Sequence, residues 1–228
     1  SHTQKKEEQK DVKIIRRIIQ MKHKPMLLAR LALGNRDSYR SSIGLIGTHH
    51  GTGVTYTGLM LAFYLGGELG KRTAFIECNR HHDMELIEEA YEWTSSRMNM
   101  FSFHNISCYK DISCEQVPLI YGEDYEALIF DFGIDFDSNI NEFLRCDKKI
   151  VLAGRAQWEL IKLRNFHQRI KDITGSGSLI YLIRQADEKT IHILTAETGC
   201  NVMSIPEAPD PVMPSRSVNR FFAVLLGC

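Results

Sequence analysis

The chain has 228 residues, 43% of them hydrophobic, and its 28 Lys and Arg are balanced by 28 Asp and Glu. That is enough apolar material for a sizeable core in one large domain, and zero net charge excludes the bulk electrostatic attraction on which non-specific nucleic-acid binding rests. Six cysteines (Cys78, Cys108, Cys114, Cys146, Cys200, Cys228) are scattered without a CxxC spacing, and no apolar run reaches the ~20 residues of a membrane span. The expectation is a reduced, cytoplasmic protein without a paired-cysteine zinc site.

Residues 1–40 read as a polar tail followed by a helical extension. Val12, Ile15, Ile18 and Ile19 recur on one side of a basic amphipathic helix that Pro25 ends or kinks. Such a helix suits a partner or a membrane surface, but packing against the main domain is the simpler expectation.

Residues 41–228 form the second unit. Ile43–Ile46 is an apolar run of strand length, followed by the loop Gly47-Thr48-His49-His50-Gly51-Thr52-Gly53 and a helical pattern from Val54 to the Gly66-Gly67 stop. Thr73–Cys78 reads as a buried strand, Asp83–Trp93 as an acidic amphipathic helix, and the aromatic stretch Met98–Tyr109 as β-leaning core and edge strand. Ser113–Ile120 is a short helix and Ala127–Phe130 a second buried strand with Asp131 at its end. The alternation continues with a strand at Lys149–Ala153, a helix at Gln157–Ile173 and a strand at Ser178–Ile183. A helix at Lys189–Ala196, a strand at Cys200–Ile205, four prolines between Pro206 and Pro214, and a terminal helix at Ser217–Leu226 complete it. Continuously apolar strands alternating with helices predict a doubly wound, mainly parallel α/β sheet, P-loop NTPase-like, with ligands at the carboxyl ends of the strands.

Three motifs fall at those ends. Strand, glycine loop and helix at Ser42–Leu65 aim backbone N–H groups and a helix N-terminus at a phosphate. Glu77-Cys78-Asn79 follows the second strand, and Asp131-Phe132-Gly133 closes the apolar run Leu128-Ile129-Phe130. Together they resemble the MinD/ParA-type deviant Walker-A ATPases of the SIMIBI class, across roughly Ser42 to Cys228. In that family the loop is GKGGxGK[ST]. Here it reads Thr48-His49-His50-Gly51-Thr52-Gly53-Val54-Thr55, with His49 at the signature lysine and Val54 at the P-loop lysine. Within the family the nearest likeness is to the TadZ/CpaE type, which help place pilus machinery at cell poles.

The resemblance implies a phosphate site formed by His49, His50, Gly51, Thr52, Gly53, Val54 and Thr55, with Arg184 near the base. It also implies magnesium at Thr55 and Asp131, ATP or ADP as ligand, a homodimer, and protein partners in a localisation or assembly system. No nucleic acid is expected, and the location is the cytoplasm or the inner face of the membrane or cell pole. Loss of both lysines and of the usual DxD argues for weak nucleotide binding and weak or absent hydrolysis, since phosphoryl transfer depends on positioning and charge neutralisation. Two alternatives remain open at this stage. One is an active but atypical ATPase with a substitute cation from His49, Arg80 or a partner subunit. The other is a metal or anion sensor built from His49-His50 and His81-His82. The terminal Phe221–Leu226 stretch is expected to dock on the domain, not in a membrane.

Overall fold

The computed structural model describes residues 40–113, 115–173 and 178–227, so the N-terminal extension expected over residues 1–40 lies outside it except for Arg40. Among the described residues nine strands form one sheet in the order β3-β4-β5-β2-β6-β1-β7-β8-β9. The elements in chain order are β1 (Ser41–Gly47), α1 (Val54–Phe63) running into a π turn at Tyr64–Glu68, β2 (Thr73–Glu77), α2 (Asp83–Ala90), β3 (Ser95–Arg97), β4 (Met100–Phe103), β5 (Ile106–Tyr109), α3 (Val117–Tyr121), β6 (Ala127–Asp131), α4 (Phe136–Arg145), β7 (Lys148–Ala153), α5 (Gln157–Ile170), β8 (Leu179–Arg184), α6 (Glu188–Thr198), β9 (Asn201–Ile205) and α7 (Arg216–Leu226). All pairings are parallel except β3 with β4 and β4 with β5. The doubly wound α/β expectation is met.

The central strands are apolar on both faces because both faces are covered. In β2, β6 and β7 nearly every residue is buried, and alternate side chains enter two separate cores. Leu45, Phe75, Ile129 and Leu152 point into the core shared with α1 and α7; Ile46, Ile76, Phe130 and Val151 point into the other, where α4 and α5 contribute Phe143 and Leu163. Gly58 lets α1 approach the sheet, since a Cβ there would lie 2.4 Å from the Phe75 ring. α7 inserts Val218, Phe222 and Leu225 into the first core and sets Phe222 5.8 Å from the Tyr64 ring, so its apolar face is covered, as expected.

Four details differ from the sequence reading. Gly66 and Gly67 do not stop the first helix, because the chain widens into the π turn, where Leu69 N–H reaches Tyr64 C=O and Gly66 lies against Ile106. The helix expected at Ser113–Ile120 starts only at Val117, with Pro118 in its first turn. The acidic helix from Asp83 ends at Ala90, leaving Trp93 to pack its ring on Phe101. α4 was not anticipated; Asp135 caps it through Ser138 N–H, and Phe136 and Phe143 are its inward residues.

Candidate functional site

β1 delivers the chain into the glycine loop between the exits of β6 and β7. Gly47 N–H donates to Gly133 C=O at 2.8 Å, and Thr48 N–H to Leu152 C=O at 2.9 Å. Gly51 (φ 81°) and Gly53 (φ 84°) hold the left-handed conformations that fold the loop back to the start of α1. The first N–H groups of a helix have no intrahelical partner, so those of Val54 and Thr55 are available to an anion above the loop. Thr52 is buried beneath the loop, with its hydroxyl packed where a Cβ on Gly47 would lie. Val54 is buried too and joins the core shared with α1.

Below the loop, Thr55 Oγ1 donates to Asp131 Oδ2 at 2.7 Å and lies 3.2 Å from Asp83 Oδ2. Asp131 is fully buried, and its other oxygen accepts Gly133 N–H at 2.9 Å. Burial pushes the Asp131 carboxyl above its usual range against the opposing effect of these hydrogen bonds, and nearby Asp83 raises it further. Glu77, level with Asp131 on the neighbouring strand, is likewise fully buried and raised by burial. Its oxygens do not face the loop: Oε1 accepts Met84 N–H at 3.3 Å and Oε2 accepts Asp111 N–H at 3.2 Å. Asn79 donates to Asp131 C=O and accepts His81 N–H. The stretch in place of DxD is therefore taken up by backbone partners, and the carboxylate facing Thr55 from this side is Asp83, which the sequence reading did not place with magnesium.

The histidines separate. His49 turns toward α5, with Nδ1 2.9 Å from Thr48 Oγ1 and Nε2 3.1 Å from Glu159 Oε1. The Ala156 N–H, with a smaller contribution from His49, holds Glu159 below the usual carboxylate range. His50 instead meets His81 across the loops, ring centroids 5.5 Å apart. His82 adopts a left-handed conformation immediately before α2 and is exposed. Among the described residues no group of three or more His, Cys, Asp or Glu side chains is arranged to hold a metal, which corrects the idea of a four-histidine metal sensor. Arg184 lies along Gly53, at 3.8 Å from where a Cβ would stand, and lines a small cavity of about 30 Å³ with Gln185, Glu207 and Ala208. Arg80 is exposed and does not line the loop cavity.

That cavity, of about 680 Å³, has the loop residues 49–55 as one wall and Leu59, Ile87, Tyr91 and Pro211 as the other. Neither Lys nor Arg is among the described residues lining it. The strap between β9 and α7 is pinned over it by Tyr56 O–H to Ala208 C=O at 2.7 Å and Tyr91 O–H to Asp210 Oδ1 at 3.2 Å. Its size suits a small molecule. The oxygen donors of Thr55 and Asp131 fit magnesium, a hard cation usually held by one or two carboxylates together with ligand phosphates.

No protein-family model matches the sequence, and no curated protein matches it. Solved structures do match the fold. MinD cell division protein from Aquifex aeolicus aligns over 82% of this chain and 98% of its own, with a TM-score of 0.65 at 13% identity. A ParA family ATPase from Chlorobium tepidum TLS aligns over 75% and 86%, with a TM-score of 0.60 at 12% identity. A putative plasmid partition protein from Borrelia burgdorferi B31, bound to AMPPNP, aligns over 83% and 100%, with a TM-score of 0.59 at 13% identity. The fold is that of the MinD/ParA P-loop ATPases. No helix among the described residues is long and apolar enough to cross a membrane.

Proposed function

We propose that this chain is a MinD/ParA-like, nucleotide-responsive scaffold that holds ADP or ATP with magnesium weakly and turns it over very slowly or not at all. The observation that carries this reading is a backbone phosphate cradle with the Thr55–Asp131 contact beneath it, in a cavity lined by no lysine or arginine among the described residues. Backbone N–H groups of Gly51, Thr52, Gly53, Val54 and Thr55 receive the phosphates, because such donors do not depend on side-chain identity. Thr55 and Asp131 hold the magnesium shell. Bound magnesium supplies neutralisation of the phosphate charge. His50 borders the cradle and Arg184 flanks it at Gly53, in place of the two lysines, while His49 borders it with its ring drawn to Glu159.

Charge-assisted contacts are worth about 1.5–3 kcal/mol each, so each missing lysine weakens binding by roughly ten- to a hundredfold. Hydrolysis suffers more, because the transition state depends on that charge. The chain then works as a switch or platform through self-association and through proteins of a cell-envelope or pilus positioning system. It does so in the cytoplasm, at the inner face of the membrane or the cell pole.

Calorimetric titration with ADP and ATP, with and without magnesium, tests this. The expected result is magnesium-dependent binding that Asp131→Ala removes. Absence of binding at millimolar nucleotide would overturn the nucleotide part. Rapid magnesium-dependent ATP hydrolysis abolished by Asp131→Ala would overturn the weak-turnover part.

A further inference from the structure

We infer that Asp83 supplies the second carboxylate of the magnesium site, from a position four residues beyond the stretch Glu77-Cys78-Asn79 that occupies the place of the family's aspartate pair. The inference rests on the nucleotide reading above and deepens it.

The residues at the expected place are spent. Both oxygens of Glu77 accept backbone N–H groups, and the Asn79 side chain is bonded at its amide nitrogen and at its oxygen. Asp83 lines the loop cavity, and its Oδ2 stands 3.2 Å from Thr55 Oγ1. That same hydroxyl lies 2.7 Å from Asp131 Oδ2. A threonine hydroxyl has one proton and cannot satisfy two carboxylates at once. Oxygens of Thr55, Asp83 and Asp131 thus meet at one point with a shortage of positive charge, which a hard divalent cation coordinated by oxygen would supply.

The backbone explains how Asp83 comes to stand there. His82, with φ 57°, turns the chain so that α2 starts at Asp83, facing the loop. Met84 N–H, in the first turn of α2, is held by Glu77 Oε1. A glutamate in this place is one methylene longer than aspartate, and its carboxylate braces the start of α2 from inside the sheet. Glu77 is in this sense a positioning residue, and Asp83 the group that faces the ion.

The test is calorimetric titration of ADP into the full chain, in magnesium and in EDTA, beside direct titration with Mn²⁺ followed by electron paramagnetic resonance. The wild-type chain is expected to bind ADP at least about tenfold more tightly with magnesium. Asp83→Asn should lose most of that gain while its affinity in EDTA stays within about twofold, and should weaken Mn²⁺ binding by a similar factor. Asp83→Glu should recover part of both, and the exposed neighbour variant Glu85→Gln should change neither. Full retention of the magnesium gain by a folded Asp83→Asn chain would overturn the inference and leave the nucleotide reading intact. ADP binding by wild type with no magnesium gain would overturn the inference together with the magnesium assignment. Failure of wild type to bind ADP at all would overturn the nucleotide reading itself, and the inference with it.

Discussion

The ends of β2 and β6 lie side by side in the sheet, and each carries a carboxylate. Glu77 and Asp131 are direct neighbours in register, both fully buried and both pushed up by burial. They nevertheless serve different masters. Asp131 gives one oxygen to Gly133 N–H and offers the other to Thr55, so it works across the gap toward the glycine loop. Glu77 gives both oxygens to the main chain, at Met84 and Asp111, and joins the exit of β5 to the start of α2. Equal burial does not mean equal role: the donors each group meets decide whether a buried carboxylate acts on a ligand or on the scaffold.

The largest expected effect comes from breaking the scaffold side. Glu77→Ala leaves two backbone N–H groups without acceptors, at about 1–3 kcal/mol each, partly offset by relief from burying a carboxylate. Urea unfolding should show a loss of about 2–5 kcal/mol. Asp131→Ala orphans only Gly133 N–H, since Thr55 can turn to Asp83, so its stability loss should be smaller, about 1–2 kcal/mol, even though it removes magnesium-linked binding. If the two losses came out in the opposite order, the division between ligand and scaffold roles would be wrong.

A subtler expectation concerns pH. Both carboxyls sit above their ordinary values in the folded chain, so the folded state holds these protons more tightly than the unfolded state does. Their stabilisation is fully present below the ordinary carboxylate value of about 4 and is lost as pH rises through the raised values. Glu159, held low by Ala156 N–H, works in the opposite sense, its contribution fading as pH falls through the lowered value. Thermal melting across the acid range should therefore show a flatter high-pH decline for Asp131→Asn than for wild type.

Much of this arrangement was legible in the sequence. The buried strands were visible as unbroken apolar runs, and Asp131 as the polar residue ending one of them. The glycine loop and Thr55 were visible from the spacing of Gly51, Gly53 and the hydroxyl. Asp83 was not, because its approach to Thr55 depends on the left-handed turn at His82, a backbone state that only a few per cent of non-glycine residues adopt. Nor was the fate of Glu77, since a motif position does not say which backbone N–H groups will fold over it. His49 was read as a replacement for lost charge, whereas its Nε2 faces Glu159, more than a hundred positions further along the chain. The helix α4 was readable after all: Asp135 followed by Phe136, Ile140 and Phe143 is a cap with a helical apolar spacing.

The strand order has a kinetic consequence. β1 lies between β6 and β7, pairing Ser41 with Ala127 and Ile43 with Lys148, so its neighbours arrive roughly a hundred residues later in the chain. Closing such wide parallel pairings must precede the energetic return from them, which makes this part of the sheet slow to assemble. The glycine loop hangs from the end of β1 and is clamped by Gly133 and Leu152 from those late-coming strands. During synthesis β1 therefore waits for both of its neighbours, and the loop takes its shape only once the middle of the sheet has closed around it.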